Sequence, residues 1–135
     1  MKIVIAGYPK TGKTTLATEF EQAGYVVRHT DSVIDLGHGA DSQAVSEWFN
    51  DPGDWVVEGV TAPRAIRKWL DQHPGEKFPA DMVVFLREHV VPWESKGTFV
   101  KGLDTVWGQV TEKVRLRSES DLLECLRLLR AGVVR

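Results

Sequence analysis

Gly7, four further residues, then Gly12-Lys13-Thr14: the stretch GYPKTGKTT, residues 7 to 15, satisfies the spacing G-x-x-x-x-G-K-[ST]. Each position has a chemical reason. Gly7 lets the chain turn sharply off the apolar run KIVIA, and Gly12 lets the backbone approach a polyanion closely. Backbone N–H groups at the start of a following helix converge on negative charge and are helped by the helix dipole. Pro9 has no N–H, so the donors are expected mainly from Thr11 through Thr15. Lys13 is placed to reach the β- and γ-phosphates of a nucleotide, and the Thr14 hydroxyl to hold Mg²⁺. The segment Gly7, Tyr8, Pro9, Lys10, Thr11, Gly12, Lys13, Thr14, Thr15 is therefore expected to bind phosphate rather than serve as a plain turn. Lys10 reads as a solvated charge beside it.

Two acids carry the next step. Asp31 follows an apolar run in RHTDSV, and Glu58 closes another in WVVEGV. In an open parallel sheet, ligands sit outside the carboxyl ends of the strands, so both carboxylates are expected in the crevice that holds the loop. Glu58 suits a Mg²⁺-water ligand, the alternative being a surface acid at a strand end. Asp31 suits a general base or anchor for an acceptor hydroxyl, the alternative being a helix cap; Asp35 is a weaker competitor.

The elements that must position these groups are legible as alternation. Apolar runs occur at KIVIA (2–6), YVVRHT (25–30), DWVVEGV (54–60), DMVVFLRE (81–88) and at the terminal GVVR (132–135). The middle three have continuous apolar centres, as expected of strands buried on both faces. Between them lie helical stripes: Leu16, Ala17, Phe20 and Ala23; Ala44, Val45, Trp48 and Phe49; Ile66, Trp69 and Leu70 after Pro63. Leu103, Val106, Trp107, Val110 and Val114 form a longer stripe, and Leu122, Cys125, Leu126 and Leu129 follow the cap-like Ser118–Ser120. The expectation is an α/β fold: a doubly wound, three-layer sheet of about five parallel strands in a single domain, 1–135. Residues 89–102, HVVPWESKGTFVKG, fit either a lid or a surface loop.

Composition narrows the classes. The chain has 135 residues, 42% hydrophobic and 27% charged, enough for one core. Its net charge of −2 gives no footing for non-specific nucleic-acid binding. No apolar run approaches the roughly 20 residues of a membrane span. One cysteine, Cys125, excludes an internal disulfide and fits a reducing cytoplasm. His29, His38, His73 and His89 lack metal-ligand spacing.

These motifs resemble the small P-loop kinases, among them nucleoside, nucleotide and shikimate kinases. The carrying residues are GYPKTGKTT, TDS after the second run, and VVEGVTAPRAIRKWL around the third; the likeness covers residues 1 to about 88, and the remainder by topology. VVEGV is similar to the acid-ending strand of uridine kinases, and TDS to the acid-serine pair that holds the acceptor hydroxyl in shikimate-type kinases. Gly59 followed by Pro63-Arg64 is similar, at longer spacing, to the element whose arginine grips an acceptor phosphate. The stretch Lys101 to Trp107 looks like one found in kinase-like proteins of bacteriophages.

The resemblance implies phosphoryl transfer from ATP or GTP, with Mg²⁺, to a small acceptor such as a nucleoside or nucleotide. It assigns Lys13 and Mg²⁺ to charge neutralisation, Asp31 to the acceptor and Arg64 to acceptor binding. A basic lid residue is sought among Arg87, Lys96, Lys101, Arg115 and Arg117, although KVRLR (113–117) also reads as a solvated charge run, the preferred reading. In the family the loop after the fifth strand holds the adenine. With that strand at 132–135 nothing would follow it, leaving a loosely held base, several accepted nucleotides, or a homodimer completing the site. Trp93 is the one tryptophan read as a stacking candidate. The runner-up is an NTPase or nucleotide switch working with a protein or nucleic-acid partner.

Overall fold

In the computed structural model the described residues are 1–37, 39–88 and 97–132. Four of the apolar runs form parallel strands β1 (Lys2–Gly7), β2 (Val26–His29), β3 (Trp55–Glu58) and β4 (Met82–Leu86), joined by a short β5 (Leu116–Arg117). They lie in one sheet of order β2-β3-β1-β4-β5, so β1 is central and its carboxyl end opens between those of β3 and β4. The helices are α1 (Lys13–Gln22), α2 (Ala40–Trp48), α3 (Ala62–Gln72), α4 (Gly97–Val110) and α5 (Glu119–Arg130). A 3-10 helix, Thr30–Leu36, leads out of β2.

Side chains alternate across a strand, and the two faces of β1 feed two cores. Val4 and Ala6 join Val57, Phe49, Ile66, Trp69 and Trp107 on the side of α2, α3 and α4. Ile3 and Ile5 join Val56, Ala17, Phe20, Leu122 and Leu126 on the side of α1 and α5. This is the expected three-layer α/β arrangement with five parallel strands. Truncating a fully buried ring such as Phe20 or Phe49 would cost about 3–5 kcal/mol.

One expectation needs correction and two need completing. β2 is not buried on both faces: it is the sheet edge, alternately exposed, with Val26 60% accessible. The apolar run YVV is long enough for a central strand, but among the described residues no strand lies beyond it. The fifth strand of the described sheet lies inside KVRLR, at Leu116–Arg117; of the run 132–135 read as a strand, 133–135 lie outside the described residues. KVRLR stays largely exposed, as a solvated run would, and also adds a strand: Leu116 and Arg117 pair with Val83 and Val84 of β4. α5 follows directly, so the fifth strand does not end the fold. Its first turn is closed by a capping box between Ser118 and Asp121.

The stripe read through Val114 is also shorter than expected. α4 stops at Val110, a 3-10 turn spans Thr111–Lys113, and Val114 is extended. Of the stretch 89–102, the part from Gly97 onward is helical; residues 89–96, with Trp93 and Lys96, lie outside the described residues. Among the described residues no helix is long and apolar enough to cross a membrane.

Candidate functional site

The loop after β1 is shaped by backbone constraints that only certain residues meet. Gly7 has φ +149°, and a Cβ there would run into the backbone carbonyl of Leu86 on β4. Gly12 is left-handed at φ 87° and stands at the N-cap of α1, where no side chain caps the helix. The first N–H groups of α1 therefore face the loop. Lys10 also adopts a left-handed conformation, φ 62°, uncommon outside glycine.

Loop and strand ends enclose a cavity of about 370 Å³ lined by residues 9–15, Asp31 and residues 58–60. The structure thus brings together the loop and both acids picked from the sequence. Asp31 sits in the first turn of the 3-10 helix and is exposed to the cavity; Asp35 does not line it.

Lys13 is buried, with 7% of its surface accessible. Its ammonium donates to the Tyr8 carbonyl at 2.5 Å and to Thr11 Oγ1 at 3.2 Å, and Thr11 Oγ1 in turn donates to the same carbonyl at 2.8 Å. Burial lowers the Lys13 pKa, opposed by the carboxylates of Glu58 and Asp31. An anion entering the cavity would meet a desolvated cation already held in place.

Glu58 is the last residue of β3 and is almost fully buried. One of its oxygens, Oε1, accepts from the Thr14 hydroxyl at 3.3 Å and lies 2.7 Å from His29 Nδ1. His29 is the last residue of β2, in register with Glu58. Strand parity explains the meeting. Val27 and Val56 pack on the α1 side, so His29 and Glu58, two residues further along each strand, face α1 and Thr14. Among the described residues no three His, Cys, Asp or Glu side chains group as metal ligands. A hydroxyl and one carboxylate form an all-oxygen set that fits Mg²⁺, which keeps most of its waters and leans on substrate phosphates.

Arg64, expected from the resemblance to grip the acceptor, lies on α3 facing α4. It does not line this cavity; its guanidinium lies beside Gly102 of α4, 3.8 Å from where a Cβ would stand. Among the lid candidates, Arg115 is removed from the site, since it pairs with Asp81 at the amino ends of β4 and β5. Arg87 does reach the loop: it donates to the Tyr8 hydroxyl at 3.3 Å and lies over the Phe85 ring. The Tyr8 hydroxyl donates to Asp104 of α4 at 2.5 Å, and burial together with Asp104 raises its pKa. Beyond this contact a second cavity of about 500 Å³ opens between Phe85, Arg87 and Trp107 on one side and Leu116, Arg117 and Ser118 on the other.

Sequence reasoning set His29 aside as one of four scattered histidines. Counting strand ends would have found it, because β2 and β3 terminate together. The Tyr8–Asp104 contact joins residues 96 positions apart and has no local signal.

No protein-family model matches the chain, and no curated protein matches it in sequence. Solved structures do. A gluconokinase from Sinorhizobium meliloti 1021 superposes with TM-score 0.59 at 18% identity, over 98% of this chain and 90% of that one. A deoxyadenosine kinase from M. mycoides, solved with bound dATP, gives 0.58 at 13% identity over 98% and 99%. A protein described as APE1195 gives 0.52 at 17% identity over 98% and 96%. The chain has the small P-loop kinase-like fold.

Proposed function

We propose that this protein is a kinase that moves the terminal phosphoryl group of ATP or GTP to a hydroxyl or phosphate of a small acceptor, most simply a nucleoside or nucleotide. The observation that carries the reading is Asp31: a carboxylate exposed across the same cavity as the Gly7–Thr15 loop and Glu58. A carboxylate at that place can accept the proton of an acceptor hydroxyl. Two of the structures that share the fold, those described as a gluconokinase and a deoxyadenosine kinase, are named for phosphoryl transfer to small molecules.

Each residue then has a task. The N–H groups of the loop and α1 hold the β- and γ-phosphate oxygens, and the Lys13 ammonium swings from the Tyr8 carbonyl to the γ-phosphate. Thr14 and Glu58 would hold Mg²⁺, which neutralises charge developing on the phosphates. Asp31 orients the acceptor hydroxyl and takes its proton as the new O–P bond forms and the bond to the nucleoside diphosphate breaks. Arg64 would move from Gly102 to an anionic group of the acceptor. Phe85, Trp107 and Arg117 around the second cavity would receive the base.

The test measures ADP and free phosphate together, with Mg-ATP and pooled nucleosides, nucleotides and small hydroxyl metabolites, and Lys13→Ala as the blank. ADP without matching phosphate, only when a pool is present, is the expected result. Asp31→Asn should lower that turnover by about 10²–10⁴-fold. Equal ADP and phosphate regardless of pool would overturn the reading in favour of an NTPase with a macromolecular partner.

A further inference from the structure

The geometry points to His29 as a positioning residue for Glu58, and through it for the Mg²⁺–nucleotide complex. This rests on the nucleotide reading of the cavity proposed above. Glu58 is 4% accessible on its side chain, whereas His29 is 38% accessible, so the imidazole stands between a buried carboxylate and solvent. The backbone that carries the ring is anchored. β2 and β3 end in register, and the His29 carbonyl accepts a hydrogen bond from the Ser32 hydroxyl at 2.7 Å.

The chemistry assigns the proton. An ionised carboxylate only accepts, so at 2.7 Å Nδ1 must carry hydrogen and donate it to Oε1. Nδ1, the ring nitrogen that faces Glu58, then has no lone pair for a cation held by that carboxylate, so His29 meets Glu58 as a partner of the ligand. Glu58 has three side-chain torsions, and two donors on one oxygen, Nδ1–H and the Thr14 hydroxyl, hold the carboxylate beside Thr14. Outer partners of this kind commonly govern metal affinity about as strongly as a weak ligand does. No cation is needed for the contact itself, so metal-free nucleotide binding should not depend on it.

Three variants separate the donor from the bulk. His29→Asn puts an amide N–H where Nδ1 stands; His29→Gln puts it near the Nε2 position; His29→Leu keeps volume without a donor. Calorimetric titration with ADP, with and without Mg²⁺, is the readout, and thermal unfolding reports on the fold of each variant. Metal-free ADP affinity should stay within about twofold throughout, while the apparent Mg²⁺ affinity of the ADP complex falls about tenfold in the Leu and Gln variants and is largely restored in Asn. Equal Mg²⁺ dependence in Asn and Gln, or an unchanged dependence in Leu, would overturn the positioning role while leaving the nucleotide site intact. A wild-type protein whose ADP binding ignores Mg²⁺, or that binds no ADP, would overturn both readings at once.

Discussion

The side chain of Thr30 rests on the α-carbon of Gly59: a Cβ at position 59 would overlap Thr30 Oγ1 and crowd its Cβ and Cγ2. This contact closes the end of β2 against the end of β3, the step that brings Asp31 to the cavity Glu58 lines. Gly59 also has φ +143°, which L side chains rarely adopt. Gly59→Ala should destabilise the protein by about 2–4 kcal/mol, the sum of overpacking and backbone strain, read as a lower urea midpoint.

Thr30 Oγ1 itself is buried with no hydrogen-bond partner among the described residues. Thr30→Val keeps the shape and removes the orphaned hydroxyl. Stability should be unchanged or rise by about 1 kcal/mol in the same urea measurement.

Lys13 sets binding against stability. Lys13→Met should weaken nucleotide binding by about ten- to 100-fold, since a charge-assisted contact is lost. It should leave the melting temperature of the free protein at or above wild type, because it removes a desolvated charge. The pH sign follows from the lowered pKa. Between the folded value and the ordinary 10.5, the unfolded chain binds more protons, so wild-type stability rises with pH relative to Lys13→Met there. Thermal melts of both proteins across the alkaline range check it.

Tyr25 should act in the opposite sense. Its hydroxyl is buried without a partner among the described residues, and burial, then the charge of Asp54, pushes its pKa to about 12. A raised pKa means stability present below pH 10 and lost as pH climbs through about 12. Tyr25→Phe should remove that share of the alkaline loss and leave neutral-pH stability equal or about 1 kcal/mol higher, by melts at pH 7 and above pH 10.

Ser118 opens α5 by accepting from Asp121 N–H at 3.2 Å, while Asp121 accepts from Ser118 N–H at 3.0 Å. Ser118→Ala should cost about 1 kcal/mol, read by chemical unfolding. Because Ser118 also borders the second cavity, ATP affinity should fall in the same variant.

The loop, four strands and the helices that pack on them were legible because each has its own local period or motif. Gly7, Gly12 and Lys13 carry their constraint in residue type alone. β5 was not legible: two residues, Leu116 and Arg117, carry no period, and only Val83 and Val84 make them a strand. Nor could YVV announce that β2 is an edge, since edge status depends on which strand lies beyond. Asp31 and Glu58 were found from strand ends, and the same rule would have found His29. The place of Arg64 beside α4 was not legible, because its contact with Gly102 has no local signal.

The two-residue β5 has a dynamic corollary. It joins the sheet through two register pairs, where β1 and β4 share five. The unit of β5 and α5 is therefore the part whose amide hydrogens should exchange first by local opening, ahead of those in β1. Leu116, Arg117 and Ser118 belong to that unit and wall the second cavity, whereas the phosphate loop hangs from central β1. One end of the crevice can thus breathe while the other stays rigid, so a guest gripped by its phosphates can loosen at its far end without leaving.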